Sequence, residues 1–184
     1  MYEDDKLKEA TYFLGQMRSS LQNPEVFRFS LSAFLSAGRS IAQYALKEAQ
    51  TKPRGQAWYD GFVKQDRFIR FFASKRDANI HDQIVQLDGH VDVYVKDAAQ
   101  LGEHALVEQF DRDGNLIAVV NAEPGADPDA EWTPDLAFVP HYRFAEWEGS
   151  EEIPELSDRY LESLRRLVAD GRTRGILSSP EHAA

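Results

Sequence analysis

The segment Lys75-Arg76-Asp77-Ala78-Asn79-Ile80-His81-Asp82 brings together residue types suited to acid–base chemistry on a phosphate. A histidine titrates near neutrality and serves as a general acid or base, which gives that role to His81. Arginine holds an oxyanion through a planar fork of N–H groups, which gives Arg76 the phosphate. Asp77 precedes His81 by four residues, the spacing at which a carboxylate orients an imidazole and raises its pKa on a helix. Asn79 adds a neutral hydrogen-bond donor. An α-helix turns about 100° per residue, so Arg76 and His81 stand about 140° apart on an unbroken helix. Arg76 then falls with Phe72, Ile69 and Ile80 on the apolar side, and His81 with Asp77 and Arg70 on the polar side. The two converge on one substrate if the helix ends near His81, or across a dimer interface. A purely structural reading stands beside this one: Arg76 as a buried, paired arginine and His81 as a cation on helix-terminal carbonyls.

Charge distribution bears on the same segment. The chain of 184 residues carries a net charge of -10, and its pI near 4.9 argues against strong nucleic-acid binding by the molecule taken whole. The excess acid is one-sided: residues 1–88 sum to +2 and residues 89–184 to -12. Lys64, Arg67, Arg70 and Lys75 precede the motif and form a candidate basic patch for a phosphate backbone; a solvated helix face explains the same residues. Arg39, among small residues in the middle of a long helical stretch, is either paired inside the bundle or a further contributor to a substrate site. His90, Asp92, His104 and His141 are candidate metal ligands, but polar strand faces account for them and no metal or other cofactor is expected. Trp58, Tyr59, Phe68, Phe71 and Phe72 could stack bases, although core or dimer contacts suit large aromatics as well.

The elements that must position these residues are mainly helical. Leu7, Ala10, Leu14, Met17 and Leu21 recur at steps of three and four, predicting a helix over about Asp5–Leu21. Asn23-Pro24-Glu25 signals a new helix start, and Phe27, Leu31, Phe34, Gly38, Ile41 and Ala45 give it an apolar stripe to about Ala49. Lys52-Pro53-Arg54-Gly55 breaks the helix. Helical patterning resumes near Gln56 and runs past Asp66 to Arg76 or His81, as one kinked helix or as two. After Asp82 the apolar period drops to two. Val91, Val93 and Val95 mark a strand, His104–Phe110 and Leu116–Val120 flank an Asp113-Gly114 turn, and Phe138–Trp147 reads as a fourth strand with Pro140 favouring an edge. Ile153, Leu156, Tyr160, Leu164 and Leu167 then define a last helix, with Gly171 as its expected stop. The expected architecture is one domain over 1–184: an up-and-down helical bundle over 5–82, an antiparallel β-meander over 89–147, and a C-terminal helix over 153–171 packing back on the bundle. No cysteine, no secretory signal and no membrane-length apolar run are present, so the expectation is a cytoplasmic protein with no membrane partner.

Arg76, four intervening residues and His81, with a polar residue directly after the arginine, resemble the signature of the HEPN superfamily, and two long helices before the motif fit that context. The resemblance covers mainly residues 5–82, plus the last helix; 89–147 would be an elaboration. It departs at Asp77, where the family often has asparagine. The resemblance implies a metal-independent endoribonuclease that leaves a cyclic phosphate, with Arg76 and His81 at its centre. It also implies a homodimer, an RNA substrate, and an antitoxin or nucleotidyltransferase partner in a toxin–antitoxin or phage-defence system. A non-catalytic helical dimer that binds a protein or a small ligand is the competing expectation.

Overall fold

Asn23 and Pro24 do locally what their types predict. The Asn23 side chain accepts a hydrogen bond from Val26 N at 3.1 Å, and Pro24 opens α2 (Pro24–Ala49) where a missing N–H costs nothing. Before it, α1 (Tyr2–Ser19) starts earlier than the apolar seam predicts, because Glu3, Asp4 and Asp5 suit the positive end of a helix. It ends where Ser19 and Ser20 turn their hydroxyls onto Gln16 O, at 3.1 and 2.6 Å. The computed structural model describes residues 2–81, 87–95, 105–110, 116–122 and 136–179, with side chains described for 2–75 and 140–179.

The break after α2 is a tight reversal. Arg54 takes a left-handed φ of 61°, and Gly55 sits so close to the last turn of α2 that a Cβ there would lie 2.0 Å from Ala49 O. Two separate helices follow, α3 (Gly55–Gln65) and α4 (Arg67–His81), and α5 (Ile153–Thr173) closes the helical part. The chain is mainly helical, as its periodicity predicts. α2 is the hub: α1 lies along it most extensively, and α3, α4 and α5 also pack on it. Phe27, Phe34, Phe72, Phe144, Leu164 and Tyr160 are buried in one core, and Ala45, Leu167 and Leu177 form a smaller one under Trp58. No helix among the described residues is long and apolar enough to cross a membrane.

Four strands lie between α4 and α5: β1 (Leu87–Val95), β2 (Ala105–Phe110), β3 (Leu116–Ala122) and β4 (Leu136–Phe144). β2 and β3 are antiparallel, from Ala105 opposite Ala122 to Phe110 opposite Leu116, with an irregularity between Gln109 and Phe110. The expected β-meander is corrected: among the described residues β1 pairs with β4 and β2 with β3, giving two two-stranded sheets in place of one sheet of four successive neighbours. A five-residue connection forces β2 onto β3, whereas the longer segments 96–104 and 123–135 impose no such neighbour. The turn at Asp113-Gly114 and the loop from Pro124 to Pro134 lie outside the described residues.

The chain divides into two compact units, Met1–His90 with Pro140–Ala184, and Val91–Val139. In the first, the end of β4 enters the helical core. Tyr142 stacks on Phe27 with ring centres 4.1 Å apart, and its hydroxyl donates to Leu21 O at 3.0 Å.

Candidate functional site

Asp66 decides where the motif helix begins. Its carboxylate Oδ1 accepts from Phe68 N at 2.9 Å and Ile69 N at 3.0 Å, capping α4, while Oδ2 accepts from Arg166 of α5 at 2.9 Å. The same residue ends α3, its backbone N–H donating to Phe62 O at 3.2 Å. One largely buried carboxylate therefore makes two helices out of a continuous helical pattern and ties their junction to α5. From that cap α4 runs unbroken to His81. The backbone of Arg76, Asp77, Asn79 and His81 accordingly occupies its closing turns, with Arg76 and His81 about 140° apart in helical phase. The side chains of these four residues lie outside the described residues.

The expected substrate-binding residues are carried by three helices, α2, α3 and α4. Lys64 on α3 and Arg67 and Arg70 on α4 are exposed. Arg67 lies over the rings of Phe68 and Trp147, at 4.7 and 5.1 Å. Lys75 instead turns inward: it is buried, its ammonium 2.7 Å from Glu146 and close to the rings of Phe71 and Phe144. That pair holds the Glu146 carboxyl below its ordinary pKa, chiefly through the hydrogen bond from Lys75, and neutralises the lysine within the protein. Arg39 is half-buried on α2; its Nε is shut away from solvent and has no hydrogen-bond partner among the described residues.

Two cavities flank Arg67. One, of about 390 Å³, is lined by Phe62, Gln65, Asp66, Arg67, Phe68 and Arg166. It presents two guanidinium groups beside two aromatic rings, a combination that suits a phosphate and an unstacked base. The other, of about 320 Å³, is walled by Arg67, Phe71 and Trp147 with Glu146, Glu148 and Glu151. Trp147 Nε1 donates to Glu151 at 2.8 Å, the main cause that holds the Glu151 carboxyl below its ordinary pKa. The basic and acidic surfaces thus share one wall.

Arg166 and Trp147 are the residues that sequence reasoning misses here. Arg166 reads as a cation near the end of its own helix, and only tertiary packing brings it to Asp66, a hundred positions earlier. Of the metal-ligand candidates, His141 pairs through Nδ1 with Glu152, while the side chains of His90, Asp92 and His104 lie outside the described residues. Trp58, Tyr59 and Phe72 pack in the cores rather than on an open stacking surface, and the Trp58 indole N–H donates to Asp170 at 2.6 Å. No protein-family model, curated protein or solved structure matches this chain.

Proposed function

We propose that this chain is a HEPN-like, metal-independent endoribonuclease, with the helices in the family's up-and-down arrangement. The observation that supports the reading most is the unbroken course of α4 from its Asp66 cap to His81, with Arg67 and Arg166 lining an aromatic, cationic cavity at its start. In the proposed reaction a ribose 2′-oxygen attacks the adjacent phosphorus and the 5′-oxygen of the next nucleotide leaves. The products are a 2′,3′-cyclic phosphate and a 5′-hydroxyl end. His81 takes the proton from the 2′-hydroxyl or supplies one to the leaving oxygen. Arg76 neutralises the non-bridging oxygens as charge builds on them. Asp77 orients the imidazole and Asn79 donates to the phosphate. Lys64, Arg67 and Arg70 guide the strand, with Arg166 added to them; Lys75 contributes by holding Glu146 away from it. The proposal includes a cytoplasmic homodimer held in check by an antitoxin or nucleotidyltransferase partner.

The test is cleavage of single-stranded RNA in EDTA by the wild-type protein beside His81→Ala and Arg76→Ala. Both variants should lose cleavage by about a hundredfold or more, as expected when a proton-transfer group or a transition-state cation is removed. Wild-type activity should fall with added salt, because phosphate contacts are screened. Cleavage that persists in His81→Ala sinks the reading. A second reading, a non-catalytic helical dimer that binds a protein or small ligand, draws support from the acidic cavity beside Trp147 and from the neutralised Lys75. Wild-type protein that cuts no RNA after removal of any co-purified partner would favour it.

A further inference from the structure

Where Asp66 ends α3 and caps α4, the chain leaves a cavity of about 390 Å³, and α5 brings Arg166 into its wall. The hydrogen-bonding groups of that wall are unevenly used. Both oxygens of Asp66, its one carboxylate, are occupied: Oδ1 by Phe68 N and Ile69 N, Oδ2 by Arg166 Nη2. Arg166 uses that single nitrogen on Asp66 and on Ser163 Oγ, at 2.9 and 3.0 Å. Its Nε and Nη1 meet no acceptor among the described residues. The Arg67 guanidinium meets none within hydrogen-bond reach either. The carboxylate paired with it, Glu151, is 3.9 Å away, and its other contacts are the rings of Phe68 and Trp147. An arginine has five N–H donors and no acceptor, so the cavity is rich in unused donors and holds no unused carboxylate. Half-buried Phe62 and Phe68 and the exposed Gln65 amide complete the wall.

We propose that this cavity binds one nucleoside monophosphate unit, its phosphate held by Arg67 and Arg166 and its base lying against Phe62 and Phe68. Unused donors with no free carboxylate among them call for a ligand with several acceptor oxygens and negative charge, and guanidinium forks match a phosphate. The volume exceeds what a bare phosphate needs and lies at the lower end of the range for small-molecule pockets, so the rest of the ligand meets the aromatic wall. A flat base suits that wall, and the Gln65 amide, which both donates and accepts, suits a base edge. A carboxylate side chain from a partner peptide would satisfy the arginines but leave the rings uncovered. Arg67 precedes Arg76 by nine positions, about 14 Å along the axis of α4, so the unit bound here is not the one the motif acts on. The unit is either part of an RNA strand, which the cavity then anchors away from the cleaved bond, or a free mononucleotide. Only the strand source rests on the ribonuclease reading; binding itself needs no cleavage.

The experiment titrates AMP, ribose 5-phosphate and a glutamate-rich peptide into the protein by calorimetry, in a phosphate-free buffer of low ionic strength. The wild type should bind AMP saturably and at least about fivefold tighter than ribose 5-phosphate, because the base adds its stacking. Arg67→Gln should bind AMP at least about tenfold more weakly, through the loss of charged donors. Arg166→Lys, which keeps a cation beside Asp66, should lose several-fold through the missing fork. Phe68→Leu should weaken AMP and leave ribose 5-phosphate unchanged. Competition on the His81→Ala protein separates the two sources. Displacement of a labelled RNA by saturating AMP assigns the unit to a strand; RNA that stays bound, or never binds, assigns it to a free nucleotide. Absence of saturable AMP binding by the wild type overturns the proposal, and so does AMP bound no tighter than ribose 5-phosphate. Tighter binding of the peptide than of AMP overturns it in favour of a protein partner. AMP affinity unchanged in both Arg67→Gln and Arg166→Lys also overturns it, and if one of the two fails to fold the other decides. AMP binding without any RNA cleavage sinks the ribonuclease reading alone, and cleavage without AMP binding sinks this inference alone.

Discussion

Gly38 shows how one missing methyl group sets the geometry of a core. Glycine inside a helix ordinarily costs about 1 kcal/mol against alanine, so an isolated α2 would gain from Gly38→Ala. In the folded protein the added Cβ would lie 2.6 Å from Tyr160 Cε1, and the stack on Phe72 leaves the ring no retreat. The expected outcome is therefore the opposite sign, a loss of about 1–3 kcal/mol, read as a lower urea midpoint with unchanged slope. The small-residue centre of α2 is legible in the sequence as a site of close helix approach; that Tyr160 is the approaching group is not, because the two are brought together only by tertiary packing. Lys75 and Gly171 show the same limit. Lys75 reads as a free cation because Glu146 is remote in sequence. Gly171 reads as a helix stop, yet α5 runs on to Thr173, and the left-handed residue beyond it is Gly175, with φ of 67°. Gly171 is small because Leu177 and Trp58 fold over it, each within 2.7 Å of where a Cβ would stand.

Helices are legible where their ends are made locally, as at Asn23-Pro24, and ambiguous where a distant partner decides, as at Asp66. Strand positions follow from the two-residue period, but their pairing depends on connections whose course no local pattern dictates. One inter-helix tie carries a pH dependence of its own. Arg172 near the end of α5 donates twice to Asp4 at the start of α1, at 3.0 and 2.6 Å, and its hydrogen bond is the leading cause that holds the Asp4 carboxyl below its ordinary pKa. A carboxyl depressed in the folded state stabilises above its unfolded pKa, and that contribution disappears as pH falls through the folded value. The wild type should thus lose stability more steeply than Asp4→Asn as pH drops below about 4, the ordinary carboxylate range. Urea titrations of both proteins at neutral and at acid pH check this; parallel curves would remove the tie from the account of stability.

The two compact units meet the chain differently. Residues 91–139 form one continuous stretch, whereas the helical unit needs both flanking segments. Its core draws on Phe27, Phe34 and Phe72 from one side of that stretch and on Phe144, Tyr160 and Leu164 from the other. Replacing residues 91–139 by a short glycine–serine linker should therefore leave a cooperative helical unfolding transition, since loop length changes closure entropy only slowly. Far-UV circular dichroism during thermal melting checks it, and a non-cooperative profile would mean that the helical core depends on the replaced residues. The concentration of buried side chains on α5 has a consequence in time as well as in space. Ile153, Leu156, Tyr160, Leu161, Leu164 and Val168 are all buried in the main core, and they leave the ribosome after every other helix of the bundle. Until they do, α2 is a nascent helix with an uncovered apolar flank, and no amount of local helix propensity can complete the fold. Assembly must wait for contacts more than a hundred residues apart, such as Phe34 with Tyr160. The interval during synthesis between α2 and α5 is thus the period in which this chain is most exposed to aggregation and most dependent on chaperones.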